Sequence, residues 1–105
     1  MKLFQLRALF LCLILPATVS AAEFEVFQKN KRFSVSELKI KVGDTVSFPN
    51  GDPFFHNVFS LSPTRMFDLG SYPEGQTRKV TFDKPGLVEI ECAIHPHMKL
   101  KIEVE

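Results

Sequence analysis

The residues of this chain best suited to chemistry lie near its C-terminus. A thiol, an imidazole and a thioether recur there at three-residue steps, at Cys92, His95 and Met98, and a further histidine, His56, precedes them in the chain. Two histidines and one cysteine, with a weakly bound methionine, form the trigonal, soft-ligand set with which proteins hold copper for electron transfer. The pattern therefore predicts a copper site formed by His56, Cys92, His95 and Met98. His97 is expected to point outward as a neighbour of this site.

Each of these residues also has an ordinary structural interpretation. A lone buried cysteine acts as a small hydrophobic residue, a lone methionine fills a gap, and a lone histidine such as His56 is often a hydrogen-bonded core residue. Zinc is the alternative metal, because histidine and cysteine also bind it, and His97 would then supply a further strong ligand. Haem attachment is excluded because its motif needs two cysteines before the histidine. The four residues taken together favour copper.

The N-terminus has the composition of a secretory signal peptide. Basic residues precede an apolar run at 8–15, and small residues follow it. Cleavage is expected after Ala21 or Ala22, so residues 1–22 are predicted to be the signal peptide and residues 23–105 one exported, periplasmic domain. An uncleaved membrane anchor is the alternative, although the apolar run is shorter than the roughly 20 residues that span a bilayer.

Composition limits the classes of protein to which the exported domain can belong. Without Lys2 and Arg7, the 13 basic residues fall to 11, against 12 acidic ones, and the two signs are interleaved. Nucleic-acid binding is therefore not indicated, because it requires a basic stripe. Loss of Cys12 with the signal peptide leaves Cys92 as the sole thiol, which excludes an internal disulfide. A metal is then the natural way to stabilise so small an exported domain.

Alternating apolar residues predict an all-β sandwich or barrel in a single domain. Apolar and charged residues alternate over 37–42, and the same holds for the last two predicted strands, around 88–92 and 100–104. Further strands are expected at 45–48, where Gly43-Asp44 is predicted to make a hairpin turn, and near 24–26, 57–61 and 77–82. The stretch 62–75 shows the least regular pattern. Cys92 then ends a buried strand, and a short loop leads to Met98 at the start of the next.

These motifs resemble those of the cupredoxins, the small type 1 (blue) copper proteins, and within them the amicyanin and plastocyanin group. The resemblance covers Val42-Gly43-Asp44, His56-Asn57-Val58, the turn at 82–86 and the short loop from Cys92 to Met98. It implies a Greek-key β-sandwich with copper bound by His56, Cys92, His95 and Met98. It also implies a protein that is not an enzyme and that carries single electrons between redox proteins.

The resemblance further implies transient docking of redox partners near His95, without nucleic acid and without stable membrane insertion after signal removal. Pro53, Phe54, Ala93, Ile94 and Pro96 are expected to surround His95 with an apolar patch. A monomer is expected. The alternative function is periplasmic copper binding or delivery without an electron-shuttle role. Since only Met66 and Met98 remain in the exported chain, its thioether content favours electron transfer.

Two residues depart from the amicyanin loop. Ile94 replaces a proline, so its amide is predicted to donate to the Cys92 sulfur beside the amide of Asn57, and Ile94→Pro is predicted to lower the reduction potential. His97 replaces a phenylalanine. It is interpreted as a solvated surface residue, with a role in adjusting partner docking near neutral pH as the functional alternative.

Overall fold

The computed structural model describes residues 20–105. The predicted signal peptide falls almost wholly outside these residues, so it stays a prediction. Within the described part, the chain forms ten strands and no helix, and thus no helix there is long and apolar enough to cross a membrane. The strands are β1 (Glu23–Glu25), β2 (Gln28–Lys29), β3 (Arg32–Phe33), β4 (Glu37–Ile40), β5 (Thr45–Pro49), β6 (His56–Ser60), β7 (Phe67–Tyr72), β8 (Thr77–Thr81), β9 (Gly86–Cys92) and β10 (Lys99–Val104).

Two sheets contain most of these strands. The larger sheet has the order β4-β10-β9-β6-β7 and the smaller has the order β1-β5-β8, while β2 and β3 pair with each other. The β9–β10 hairpin is antiparallel and in continuous register from Lys99↔Glu91 to Val104↔Gly86. Parallel pairing joins β10 to β4 and β1 to β5. These non-consecutive neighbours give the Greek-key connectivity that the resemblance implies.

One hydrophobic core lies between the two sheets. The alternation seen in the sequence decides which side chains enter it, because successive residues of a strand point to opposite faces. On β9 and β10 every second residue is buried, and the residues between them are exposed or partly exposed. The prediction of an all-β sandwich is confirmed. The buried apolar core residues are Val26, Ile40, Val46, Phe48, Val58, Tyr72, Val80, Phe82, Val88, Ile90, Leu100, Ile102 and Val104.

The prediction of a hairpin at Gly43-Asp44 is wrong. The turn exists, but β4 pairs with β10 in the larger sheet and β5 pairs with β1 and β8 in the smaller sheet. The chain therefore crosses from one sheet to the other at this turn. The Asp44 carboxylate holds the crossing by accepting hydrogen bonds from the backbone amides of Ala22 and Lys41, both at 2.8 Å.

Two elements were not predicted from the sequence. Strand β7 lies within the stretch interpreted as irregular, and β2 and β3 form a small hairpin through Asn30 and Lys31. Both turn residues have left-handed backbones, with φ of 53° and 56°. Two consecutive left-handed residues form a two-residue hairpin turn whose backbone twist matches the twist of the two strands it joins. This turn lies against the predicted metal site.

Candidate metal centre

The larger sheet fixes two of the predicted ligands relative to each other. His56 is the first residue of β6 and Cys92 is the last residue of β9. These strands are antiparallel neighbours, with Val58 opposite Cys92. The Ala93 amide continues the pairing with a hydrogen bond of 3.0 Å to the Asn57 carbonyl. Both His56 and Cys92 are buried, with 0% and 1% of their surface exposed.

His95 completes a group of three close ligand atoms. The Cys92 Sγ lies 3.7 Å from Nδ1 of His56 and 3.7 Å from Nδ1 of His95, and the two nitrogens lie 3.3 Å apart. A point in the plane of these three atoms is about 2.1 Å from each, close to the ~2.0–2.3 Å at which imidazole and thiolate bind a metal of this size. The triangle therefore fits one small metal ion without movement of the side chains.

The buried carboxylate of Asp52 orients His56. Asp52 Oδ2 lies 2.8 Å from Nε2 of His56, and only 2% of Asp52 is exposed. Because a carboxylate accepts hydrogen bonds, Nε2 carries the proton and donates it to Asp52. The lone pair of His56 is thus on Nδ1, which faces Cys92 and His95. A carboxylate in this position also makes the imidazole a stronger metal ligand.

Asp52 is itself held in place by the turn between β2 and β3. The backbone amides of Asn30 and Lys31 donate to the two carboxylate oxygens at 2.7 and 3.0 Å. Burial raises the pKa of Asp52, but the hydrogen bonds from Lys31, His56 and Asn30 outweigh it, so the net pKa lies below the ordinary value. Asp52 is therefore ionised, and its charge is matched to the imidazole N–H and the two amides.

The loop from 93 to 98 positions His95. The Met98 amide donates to the His95 carbonyl at 2.9 Å, which closes the loop into a turn between β9 and β10. The ring of Phe54 packs against both ligand rings, with centroid distances of 5.4 Å to His56 and 5.3 Å to His95. Burial lowers the pKa of His95, and the nearby His56, Lys31 and His97 lower it further. The neutral, metal-binding form of His95 is thereby favoured.

Met98 and His97 occupy different environments. Met98 is 2% exposed, next to β10, as expected for a thioether that faces the interior. His97 is exposed and lies outside the three-atom group, so the alternative of a zinc site that includes His97 is not supported. The Nε2–H of His97 instead donates to the Lys31 carbonyl at 3.1 Å.

The sulfur of Cys92 accepts the predicted hydrogen bond from Asn57, at 3.4 Å between N and Sγ. The second predicted donor is absent: within residues 20–105, no hydrogen bond joins the Ile94 amide to this sulfur. The predicted effect of Ile94→Pro on the reduction potential therefore loses its physical basis. Ile94 is half exposed instead, at 49%, and belongs to the surface around His95.

Four of the five residues predicted to form an apolar patch near His95 are exposed, and Phe55, which was not predicted, is exposed as well. Phe55 and Ile94 are large exposed hydrophobic residues, at 54% and 49%, and Pro53, Ala93 and Pro96 are also exposed. Phe54 is only partly exposed, because it packs under the loop. We call Pro53, Phe55, Ala93, Ile94 and Pro96 the apolar rim.

Sequence reasoning missed the supports of the site. Asp52, Asn30 and Lys31 were not identified as site residues, because a polar residue in a loop that contains glycine and proline has the same appearance whether or not it contacts a ligand. The spacing of Asp52 four residues before His56 is the only local signal, and it is weak. The contacts with Asn30 and Lys31 join residues more than twenty positions apart.

Known proteins resemble this chain over most of its length. The family model described as "copper binding proteins, plastocyanin/azurin family" matches residues 21–105. The methylamine utilization protein MauL of Methylorubrum extorquens is 32% identical over 86% of this chain and 78% of its own length. Amicyanin-alpha of the same organism is 34% identical over 81% of this chain and 74% of its own.

The solved structures with similar folds include those of copper proteins. A Cu(I) variant of amicyanin superposes with a TM-score of 0.74 at 27% identity, over 79% of this chain and 82% of the other. A copper-containing nitrite reductase of Thermus scotoductus gives a TM-score of 0.73 at 30% identity, but this chain spans only 22% of it. The likeness to the reductase therefore concerns one part of a much larger protein.

Proposed function

Because the chain belongs to the plastocyanin/azurin family of copper-binding proteins, we propose that it carries single electrons between redox proteins through one type 1 copper ion. The proposed ligands are His56, Cys92, His95 and Met98. The observation that carries the proposal is the triangle of two imidazole nitrogens and one thiolate sulfur, which accommodates an ion about 2.1 Å from each atom.

Bound copper would supply a one-electron couple between Cu(I) and Cu(II). The chain's own contribution is a ligand set suited to both oxidation states, since neutral imidazoles and a thiolate reject neither. The Asn57 amide draws charge from the Cys92 sulfur, and Asp52 keeps the His56 ring in one orientation. Ligands fixed by paired strands move little when the charge changes, which favours fast electron transfer.

Electrons are proposed to enter and leave through His95. It is the partly exposed member of the three-atom group, whereas His56 and Cys92 are buried. The apolar rim around it suits brief docking, because transient redox complexes use small interfaces. We propose a periplasmic location on the basis of the predicted signal peptide. We also propose that the protein is a monomer without enzymatic activity of its own.

The proposal is tested by adding Cu(II) to the purified metal-free protein. We expect one copper per chain, an intense visible thiolate-to-copper absorption band and a reversible one-electron voltammetric wave. Cys92→Ser should abolish the band. Lys84→Gln is the control, because exposed Lys84 precedes β9 at the end opposite Cys92, and it should bind one copper with the band retained.

Three outcomes would overturn the proposal. Absence of the band in the wild-type protein, or removal of the copper by EDTA, would contradict a type 1 site. A normal band without a reversible wave, together with transfer of copper to a chelating acceptor, would instead identify a copper-delivery protein.

A further inference from the structure

A cleft lined by basic side chains lies beside the metal-site loop. Its charged or titratable lining residues are Lys31, Arg32, His97 and Lys99, and no carboxylate lines it. We call these four residues the basic cleft. The remaining lining includes Ser36 and the buried Met98, so the cleft opens next to a proposed copper ligand.

The basic cleft is fixed in position relative to His95. The β2–β3 turn, which carries Lys31, is held by the hydrogen bonds that Asp52 accepts from the Asn30 and Lys31 amides. On the metal-site loop, His97 donates a hydrogen bond to the Lys31 carbonyl. The Lys31 ammonium lies 5.5 Å from the centre of the Phe54 ring, and that ring is 5.3 Å from His95. A charge that enters the cleft therefore approaches the proposed electron port.

The positive charge of the cleft is largely uncompensated. Residues 23–105 carry 11 basic and 12 acidic residues, so the domain as a whole has no basic excess. Among the described residues, no carboxylate lies within ion-pair distance of Lys31 or Arg32, whereas Lys99 shares a long contact of 3.9 Å with Glu91. The carboxylate next to the Lys31 backbone is that of Asp52, which is buried and already bonded to His56 and to the two amides of the turn.

We propose that the basic cleft receives carboxylate groups of the redox partner while the apolar rim contacts the partner's apolar surface. The partner is thus a redox protein with an acidic patch beside its own electron port. Opposite charges of this kind raise the rate of association and orient the two proteins. This inference rests on the proposed electron-carrier function and specifies the chemistry of its partner.

The polyanion ferricyanide serves as the probe for this surface. It oxidises the copper-loaded, reduced protein by taking one electron, so that Cu(I) becomes Cu(II) and ferricyanide becomes ferrocyanide, with no proton transferred. The test compares wild-type protein with Lys31→Gln/Arg32→Gln in stopped-flow measurements. Lys84→Gln is the control, since exposed Lys84 precedes β9 at the end opposite Cys92.

We expect the double variant to react about tenfold more slowly at an ionic strength of about 0.01 M, from two charges that act on a trianion roughly 12 Å away. At about 1 M salt the difference should fall below about twofold, because the Debye length is then near 3 Å. The tricationic tris(phenanthroline)cobalt(III) should show the opposite order. Lys84→Gln should match the wild type with both reagents.

The inference and the proposed function fail in different ways. Equal ferricyanide rates for the wild type and the double variant at low salt, with normal absorption bands and equal potentials, would overturn the acidic-partner inference alone. A missing band or wave in the wild type would overturn the electron-carrier function itself. A slower rate that persists at high salt would show a structural effect of the substitutions and would also contradict the inference.

Discussion

Removal of the Asp52 carboxylate tests how the fold supports the metal site. Asp52→Ala deletes three hydrogen bonds, from His56 at 2.8 Å and from the Asn30 and Lys31 amides at 2.7 and 3.0 Å. The two amides lie on an exposed turn and can regain water, so each of these two lost bonds should cost about 1 kcal/mol, and loss of the bond from the buried His56 should cost at least about 1 kcal/mol. We expect the free energy of unfolding of the metal-free protein to fall by about 3 kcal/mol, out of a total of about 5–15 kcal/mol.

Two measurements separate the structural role of Asp52 from its effect on the metal. Urea unfolding of the metal-free protein gives the stability change, with an unchanged slope as the sign of an intact two-state transition. Voltammetry of the copper form gives the second readout. Loss of the carboxylate weakens His56 as a ligand, and a tenfold loss confined to Cu(II) raises the potential by about 59 mV.

The matched control is Asp44→Ala. Asp44 also accepts a backbone amide at a turn, from Lys41, but it lies just before β5, away from the site; its second donor, the Ala22 amide, belongs to the predicted signal peptide. Asp44→Ala should lower the stability and leave the potential unchanged. A stability change below about 0.5 kcal/mol for Asp52→Ala would refute the reasoning, as would equal potentials for Asp52→Ala and wild type.

Three further expectations concern the scaffold. Tyr72→Phe should lower the unfolding free energy by about 1–3 kcal/mol, because the buried hydroxyl accepts a hydrogen bond from the Gln28 amide and donates one to the Phe48 carbonyl. Burial raises the pKa of Tyr72 to about 12, so the hydroxyl keeps its proton. An unchanged urea midpoint would contradict this prediction. Gly86→Ala should destabilise by about 1–3 kcal/mol, since φ is 137° and a Cβ would lie 2.8 Å from Thr64 Oγ1, and a thermal melt equal to that of wild type would refute it. The hydrogen bond from the Lys41 amide lowers the pKa of Asp44, so the stabilisation by its carboxylate is present above the ordinary pKa and is lost as the pH falls. Asp44→Asn should therefore lose less stability than wild type between about pH 5 and pH 2, and parallel curves of stability against pH would contradict this.

The position of Cys92 and of the ligand loop was predictable from the local alternation of apolar and charged residues. Alternation over 88–92 and 100–104 is sufficient to place Cys92 on a buried face and the ligand loop between two antiparallel strands, and the structure confirms both. The residues of such a hairpin are close in the chain, so their proximity in space needs no knowledge of the rest of the fold.

The failed predictions involve partners that are distant in the chain. The turn at Gly43-Asp44 signals a reversal, but turn residues do not specify which sheet the next strand joins, and β5 joins the smaller one. The turn of the β2–β3 hairpin was missed because Lys31 takes a left-handed backbone that usually requires glycine or asparagine. Asp52 compensates by accepting both amides of this turn, an arrangement visible only in three dimensions.

The site therefore has two parts with different mechanical support. His56 and Cys92 are fixed by the pairing of β6 with β9 and by the Asn57 amide. His95 and Met98 depend on the loop, which is held by its own internal bond and by His97 on the Lys31 carbonyl. The β2–β3 turn contacts both parts, through Asp52 on one side and His97 on the other. Loosening of this turn should therefore disturb the metal site without any substitution among its ligands.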